Sequence, residues 1–304
     1  MSNINTTSTL LPENQVFYDR TLLKRMLPAL VFLRFAQKKA IAQNSGKKIK
    51  FRRYTPLKAA TEALTEGVTP EGETLNVDEV EATLAFYGRH VELSDEVDYT
   101  GIDDTLTEAC ELLGEQGGLT LDTVTRNEVC SGTNVQYAGG VVGTSNVTAK
   151  ISCEEVKKAV RTLKKANAPM IDGAYIGVID PDISYDIQND PLWQDVSKYS
   201  GGKAIMDGEI GKLGGVRFIE TTNTLVKDSG RIHCAMIIGK DAYGAVDLGN
   251  KNSKRKPKLI IKPLGSGGTS DPLDQKQTAG WKAPYTAVRL NELAMVRLEV
   301  AVSE

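Results

Sequence analysis

The chain has 304 residues, 40% of them hydrophobic and 25% charged, enough for one large globular domain or two small ones with a buried core. A formal net charge of −2 argues against wholesale nucleic-acid coating, and four scattered cysteines with two histidines give no Cys/His zinc pattern. The longest apolar stretch, around Met26 to Leu33, is interrupted by Pro28 and falls far short of the roughly 20 residues of a membrane helix, while MSNINTTSTLLPENQ lacks the pattern of a secretory signal.

Residues 1–16 are polar and read as an irregular arm. Leu22, Leu23, Met26, Leu27, Leu30, Val31 and Phe35 follow helical spacing, with Pro28 expected to kink or split the helix. After Asn44-Ser45-Gly46, the stretch KKIKFRRY alternates as a strand does, and a second alternating run, VEATLAFYGRHVELS, changes phase near Gly88. Between them lies a polar tip with Pro56, Gly67, Pro70 and Gly72. Residues 47–93 therefore resemble a long hairpin with little core of its own, an element marginal in isolation and suited to packing on a partner.

From Ile102 the apolar residues recur near a period of 3.6, predicting a long helix with an interruption at Gly117-Gly118. A glycine-rich loop follows, then a helix over 153–167 with Ser152 as N-cap and Glu155 as capping-box partner. Strands are expected at 175–179, 216–219, 234–238 and 259–261, short helices at 182–188 and 240–247, and closing strands within TAVRLNELAMVRLEVAV. The mixture is α+β, with no internal repeat.

Charge is unevenly spread. Arg20 through Arg53 holds eleven Lys or Arg and no acid, whereas Glu62 through Glu128 holds eighteen acids and two arginines. Two solvated faces explain such runs; so do complementary surfaces on different copies, which head-to-tail contacts extend into rings or lattices. The run KNSKRKPK and its continuation to Lys262 suit a solvated loop or a phosphate contact.

No set of residues forms a convincing catalytic or metal site. His233 and Cys234 are neighbours on a strand and point to opposite faces, one toward the core and one toward the surface. His90 has Ser94 and Asp95 near it only along the chain. The glycines of DGEIGKLGGVRF match neither phosphate-binding fingerprint and read as two turns flanking a strand. Asp180 and Asp182 suit either a metal or a helix cap, and capping is the commoner use. Cys110, Cys130, Cys153 and Cys234 are expected as reduced thiols.

The order of these features resembles the tailed-bacteriophage major capsid proteins of the Hong Kong 97 (HK97-like) fold, over most of the chain. FYDRTLLKRMLPALVFLRF is similar to the arm of that family, ALTEGVTPEGETLNVDEVEATLAFYGRHVELSDEV to its second loop strand leading to Ser94, and TLDTVTRNEVCSGTN to the end of its spine helix. APMIDGAYIGVIDPDISYDIQND and GEIGKLGGVRFIETTN resemble axial-domain strands, in the manner of the short-chain subgroup.

The resemblance implies an arm at 1–46, an extended loop hairpin at 47–93, a peripheral domain with the spine helix at 94–150 completed by 281–304, and an axial domain at 151–280. It implies a structural, non-enzymatic protein that self-assembles into the icosahedral shell around the double-stranded DNA of a tailed phage, without cofactor, metal or membrane. Other copies in pentamers and hexamers, a portal, a decoration protein and DNA are the implied partners. A separate scaffolding protein is expected because the sequence starts almost directly at the arm. The implied location is the virion capsid, assembled in the host cytoplasm. On this reading Arg52, Arg53 and Lys58 face Glu62, Glu66, Glu71 and Glu73 of adjacent copies. An encapsulin-like bacterial compartment is the nearest rival, followed by a DNA-binding protein using the basic arm, and then by an enzyme. Lys58 has no identifiable crosslinking partner.

Overall fold

The computed structural model describes residues 26, 30–40, 47–54, 57, 59–61, 63, 67, 69, 71–100, 105–193, 211–248, 257–266 and 271–303. Helix α1 (Val31–Phe35) leads to strand β1 (Gln37–Lys39), a ribbon of β2 (Lys48–Tyr54) and β3 (Val77–Thr83), then β4 (Ala85–Ser94), α2 (Asp95–Thr100) and α3 (Thr105–Cys130). Next come β5 (Val135–Tyr137), α4 (Cys153–Lys165), β6 (Tyr175–Ile179), α5 (Pro181–Gln188), β7 (Lys212–Leu213), β8 (Val216–Glu220), β9 (Leu225–Lys227) and β10 (Ile232–Ile238). The chain continues through β11 (Tyr243–Val246), β12 (Lys258–Lys262), β13 (Lys276–Tyr285), β14 (Ala287–Arg289) and β15 (Met295–Ala301).

Two apolar cores organise these elements. The larger surrounds a seven-stranded sheet in which β5-β15-β10-β6-β8-β7 run in that order and β9 also pairs with β10. Its central strand, IHCAMII, is buried at every position, so both faces are covered and the apolar run needs no alternation. Helix α4 lays Val156, Ala159, Val160 and Leu163 on this core. Its N-cap is the expected one: the Ser152 hydroxyl accepts from the Glu155 N–H at 3.3 Å. The Glu155 carboxylate turns instead to Gln136 and Lys158.

The second core lies along α3, about 39 Å long at 26 residues. Ala109, Cys110, Leu113, Gly117, Leu121, Thr125 and Val129 form its buried stripe. The expected interruption at Gly117-Gly118 is absent. A Cβ at Gly117 would lie 2.6 Å from Met26 Cε and 3.3 Å from the Trp281 ring, so glycine here admits a close neighbour rather than breaking the helix. Trp281 fixes its position by donating Nε1–H to Gln116 Oε1 at 3.2 Å.

Several expectations need correction. Residues 240–247 are not helical: 243–246 pair with β1 on one side and β14 on the other, and Asp241 turns the chain at positive φ. A short apolar run does not distinguish helix from strand, and here pairing decides. The second hairpin strand is really two. Residues 77–83 pair with β2, but 85–94 leave the ribbon at buried Leu84 and pair along their whole length with β13. Strand β15 runs inside the seven-stranded sheet between β10 and β5. His233 is buried rather than superficial, as is Cys234.

The ribbon joins the body at its base. Ile49, Phe51, Ala82 and Leu84 are buried in the α3 core with Ala245 and Val246, and the Phe51 ring sits against Gly244. A Cβ at Gly244 would lie 2.5 Å from Phe51 Cε1. Gly244→Ala is therefore expected to displace that ring and cost about 1–3 kcal/mol by overpacking, read as a lower urea midpoint and faster proteolysis of the ribbon. An unchanged midpoint would mean that this seat does not hold the ribbon.

Candidate functional site

The ribbon changes character along its length. Beyond its buried base, every described residue from Arg52 to Glu79 is exposed. Tyr54, Leu57 and Leu75 are 64%, 56% and 68% exposed, far more apolar surface than a two-stranded element conceals by itself. Charge and apolar groups are interleaved here, as at the rim and centre of a protein interface.

One face of the ribbon carries an ion-pair ladder. Antiparallel register sets Lys50 opposite Glu81 and Arg52 opposite Glu79, and paired residues share a face. Lys48 Nζ lies 2.8 Å from Glu81, Lys50 Nζ 2.9 Å from Glu81 and 3.1 Å from Glu79, and Arg52 Nε 3.0 Å from Glu79. Hydrogen bonds from Lys48 and Lys50 pull the Glu81 carboxyl down to about 2, and Lys50 lowers Glu79 in the same way. The same two carboxylates raise Lys50. A depressed carboxyl contributes order above its unfolded range near 4.3 and loses it as pH falls through its folded value, so the Glu81 pairs outlast an ordinary carboxylate as the solution is acidified. These groups face water, and salt weakens them.

The ladder alters the expected contacts. Arg52 is engaged by Glu79 of its own chain, and Glu79 and Glu81 were missed in the sequence although the alternation of 48, 50 and 52 against 79 and 81 carried the signal. Arg53 stands opposite Asp78, and among the described residues neither makes an ion pair. Glu71 and Glu73 are exposed on the approach to β3. Lys58, Glu62 and Glu66 lie outside the described residues.

The arm is fastened by a buried carboxylate. Asp122 of α3 accepts the Phe32 N–H at 2.8 Å and Asn223 Nδ2 at 3.0 Å. Burial pushes its carboxyl above the ordinary range, against those hydrogen bonds. The Tyr243 hydroxyl donates to the Phe32 carbonyl, so α1 is held from two sides.

The groups with catalytic potential are occupied structurally. Asp180 and Asp182 lie with His233 in one cluster whose donor atoms are within 4.8 Å of each other. Asp180 Oδ1 caps α5 through the Ile183 N–H at 2.9 Å, while its Oδ2 contacts His233 Nδ1. His233 Nε2 meets the Gly230 carbonyl at 3.1 Å. The cluster ties α5 to β10. Burial raises the thiols of Cys130 and Cys153 to about 11 and that of Cys234 to about 12, leaving them protonated and poor nucleophiles at neutral pH. His90 is exposed beside Glu92 at 3.6 Å.

Solved structures share the fold of this chain. The chain aligns with the capsid structure of cyanophage P-SCSP1u at a TM-score of 0.64 and 15% identity, covering 88% of this chain and 87% of that one. The chain has the HK97-like fold. The capsid of Ralstonia phage GP4 aligns at a TM-score of 0.65 and 12% identity over 89% and 88% of the two chains. A virus-like particle from Pyrococcus furiosus aligns at 0.54 and 13% over 94% and 99%. No family model and no curated protein matches the sequence.

Proposed function

We propose that the chain is a major capsid protein that self-assembles into the icosahedral shell of a tailed phage around double-stranded DNA. The observation that carries this reading is the ribbon: anchored by Phe51, exposed at every described residue beyond it, and bearing both apolar side chains and uncompensated charges. Such an element gains stability from burial on another copy. Repetition of one head-to-tail contact then closes a shell. The work is contact rather than bond chemistry.

In this reading the arm is 1–46, the loop hairpin 47–93, the peripheral domain 94–150 with 281–304, and the axial domain 151–280, with the strands of the last two interleaved. Pentamers and hexamers of the chain, a scaffolding protein, a portal and a decoration protein are the partners, in the host cytoplasm and then in the virion. Arg53, with Arg52 and Lys58, approaches Glu62, Glu66, Glu71 and Glu73 of a neighbour.

Electron microscopy of the purified chain, with sedimentation velocity, tests the reading. Capsomer rings or closed particles are expected. A chain that remains monomeric at every concentration and salt condition overturns it. The Pyrococcus particle makes a cargo-bearing compartment the second reading, and the contents of particles isolated from their native source, nucleic acid or protein, distinguish the two.

A further inference from the structure

Helix α4 carries a second charged surface that the shell contacts do not use. Its apolar stripe, Val156, Ala159, Val160 and Leu163, faces the core. On the outer side, Lys157, Arg161, Lys164 and Lys165 follow at spacings of four, three and one, a single exposed stripe about 12 Å long. Together with Val160 and Gly214 they line an open groove of about 480 Å³. Gly214 forms its far side at positive φ, where a Cβ would come within 3.5 Å of Lys157 Cγ.

Among the described residues, none of the four cations makes an ion pair. The helix acids Glu154 and Glu155 are both taken by Lys158, at 3.3 and 2.9 Å. Asp190, near enough to feel Lys157, is held by the N–H groups of Cys153 and Leu192 at 2.7 and 2.8 Å. Lys164 and Lys165 suit the helix dipole in the last turn, but Lys157 and Arg161 stand before it and gain little from it.

We infer that this groove binds the phosphate backbone of duplex DNA, and that the face of α4 turned away from the sheet therefore looks into the shell. A protein partner would ask for an exposed apolar anchor among the charges, and the stripe has none, since Val160 is buried. A row of long, mobile cations with no rigid reader of base edges matches sequence-independent contact with phosphate. About seven duplex charges pass along 12 Å of helix axis, enough to engage all four. The inference rests on the proposed shell reading for its choice of interior, but not for the binding itself.

The test is fluorescence anisotropy of a labelled duplex with the unassembled full chain across a salt series. Four phosphate contacts give a salt exponent of about 3.6, or about 150-fold weaker binding on a fourfold rise in salt. Neutralising the stripe (Lys157→Gln, Arg161→Gln, Lys164→Gln, Lys165→Gln) should abolish most of that dependence, and Arg161→Gln alone should lower the exponent by about 1. Removing charge from another exposed basic face, through Lys258→Gln, Lys262→Gln and Lys276→Gln, should leave it nearly unchanged. The inference is overturned if wild type does not bind duplex at low salt, if both multiple variants lose binding equally, or if the stripe variant binds normally. Electron microscopy of the same variants separates the two readings: failed particles with intact DNA binding make the stripe a subunit contact, whereas intact particles with weakened binding support the groove.

Discussion

A chain carrying Arg52→Glu and Arg53→Glu is expected to fold normally and fail to assemble. Both side chains lie beyond the buried base of the ribbon, so neither α3 nor the seven-stranded sheet should notice the change. Arg52→Glu places a carboxylate beside Glu79 and loosens the ladder locally, while Arg53→Glu adds a charge opposite Asp78. Between copies the effect multiplies. Reversing two charges in the proposed contact costs about 1–3 kcal/mol per subunit, and each 1.4 kcal/mol raises the assembly concentration about tenfold. Circular dichroism and the urea midpoint should match wild type to within about 1 kcal/mol, while the concentration needed for assembly rises about 5- to 140-fold. Because Arg52 already serves its own chain, Arg53→Glu alone is the cleaner variant and should show most of the loss. Unimpaired particles would remove these arginines from the lattice contact.

The second large effect is expected at Glu299, on β15 within the main sheet. Its carboxylate is fully buried; Oε1 accepts from Lys227 Nζ at 2.7 Å and Arg297 Nε at 2.9 Å. Glu299→Ala leaves Lys227 and Arg297 without their common counter-charge next to the core, a loss of about 3–5 kcal/mol. At about 2–4 °C per kcal/mol, the melting temperature should fall by about 6–20 °C. Burial works to raise the Glu299 carboxyl, but hydrogen bonds from Lys227 and Thr144, with the Lys227 and Arg297 charges, outweigh it, and the net shift is downward. A depressed carboxyl stabilises above its unfolded range near 4.3, and that contribution disappears as pH drops through the folded value. Wild type should therefore lose stability below about pH 4 more steeply than Glu299→Gln. Parallel stability curves through that range would show that the buried pair carries no proton linkage.

The sequence made some of this architecture readable and concealed the rest for physical reasons. Strands buried on both faces, such as IHCAMII, and the well-capped α4 announce themselves, since local pattern and tertiary role agree. The ribbon was visible as alternation, but its extent was not. VEATLAFYGRHVELS is one run in sequence and two strands in space, because its second half pairs with residues 276–285 near the other end of the chain. Strand β13 itself was hidden by Gly280 and Pro284. Gly280 makes room for His90, and Pro284 sits beyond the end of β12, where β13 has a ladder partner on one side only. The basic-to-acidic contrast was visible too, yet part of it is spent inside one ribbon, a fact that depends on register and not on composition. The stripe on α4 escaped notice because helical spacing was read for its apolar side alone.

Whether the ribbon packs on a neighbour is decided by a cryo-electron microscopy map of assembled particles. Residues 48–83 are expected across an adjacent copy, with Tyr54 and Leu75 buried there and Arg53 against a neighbouring acid. Particles whose ribbons stand free in solvent, or fold back onto their own body without touching another copy, would contradict it.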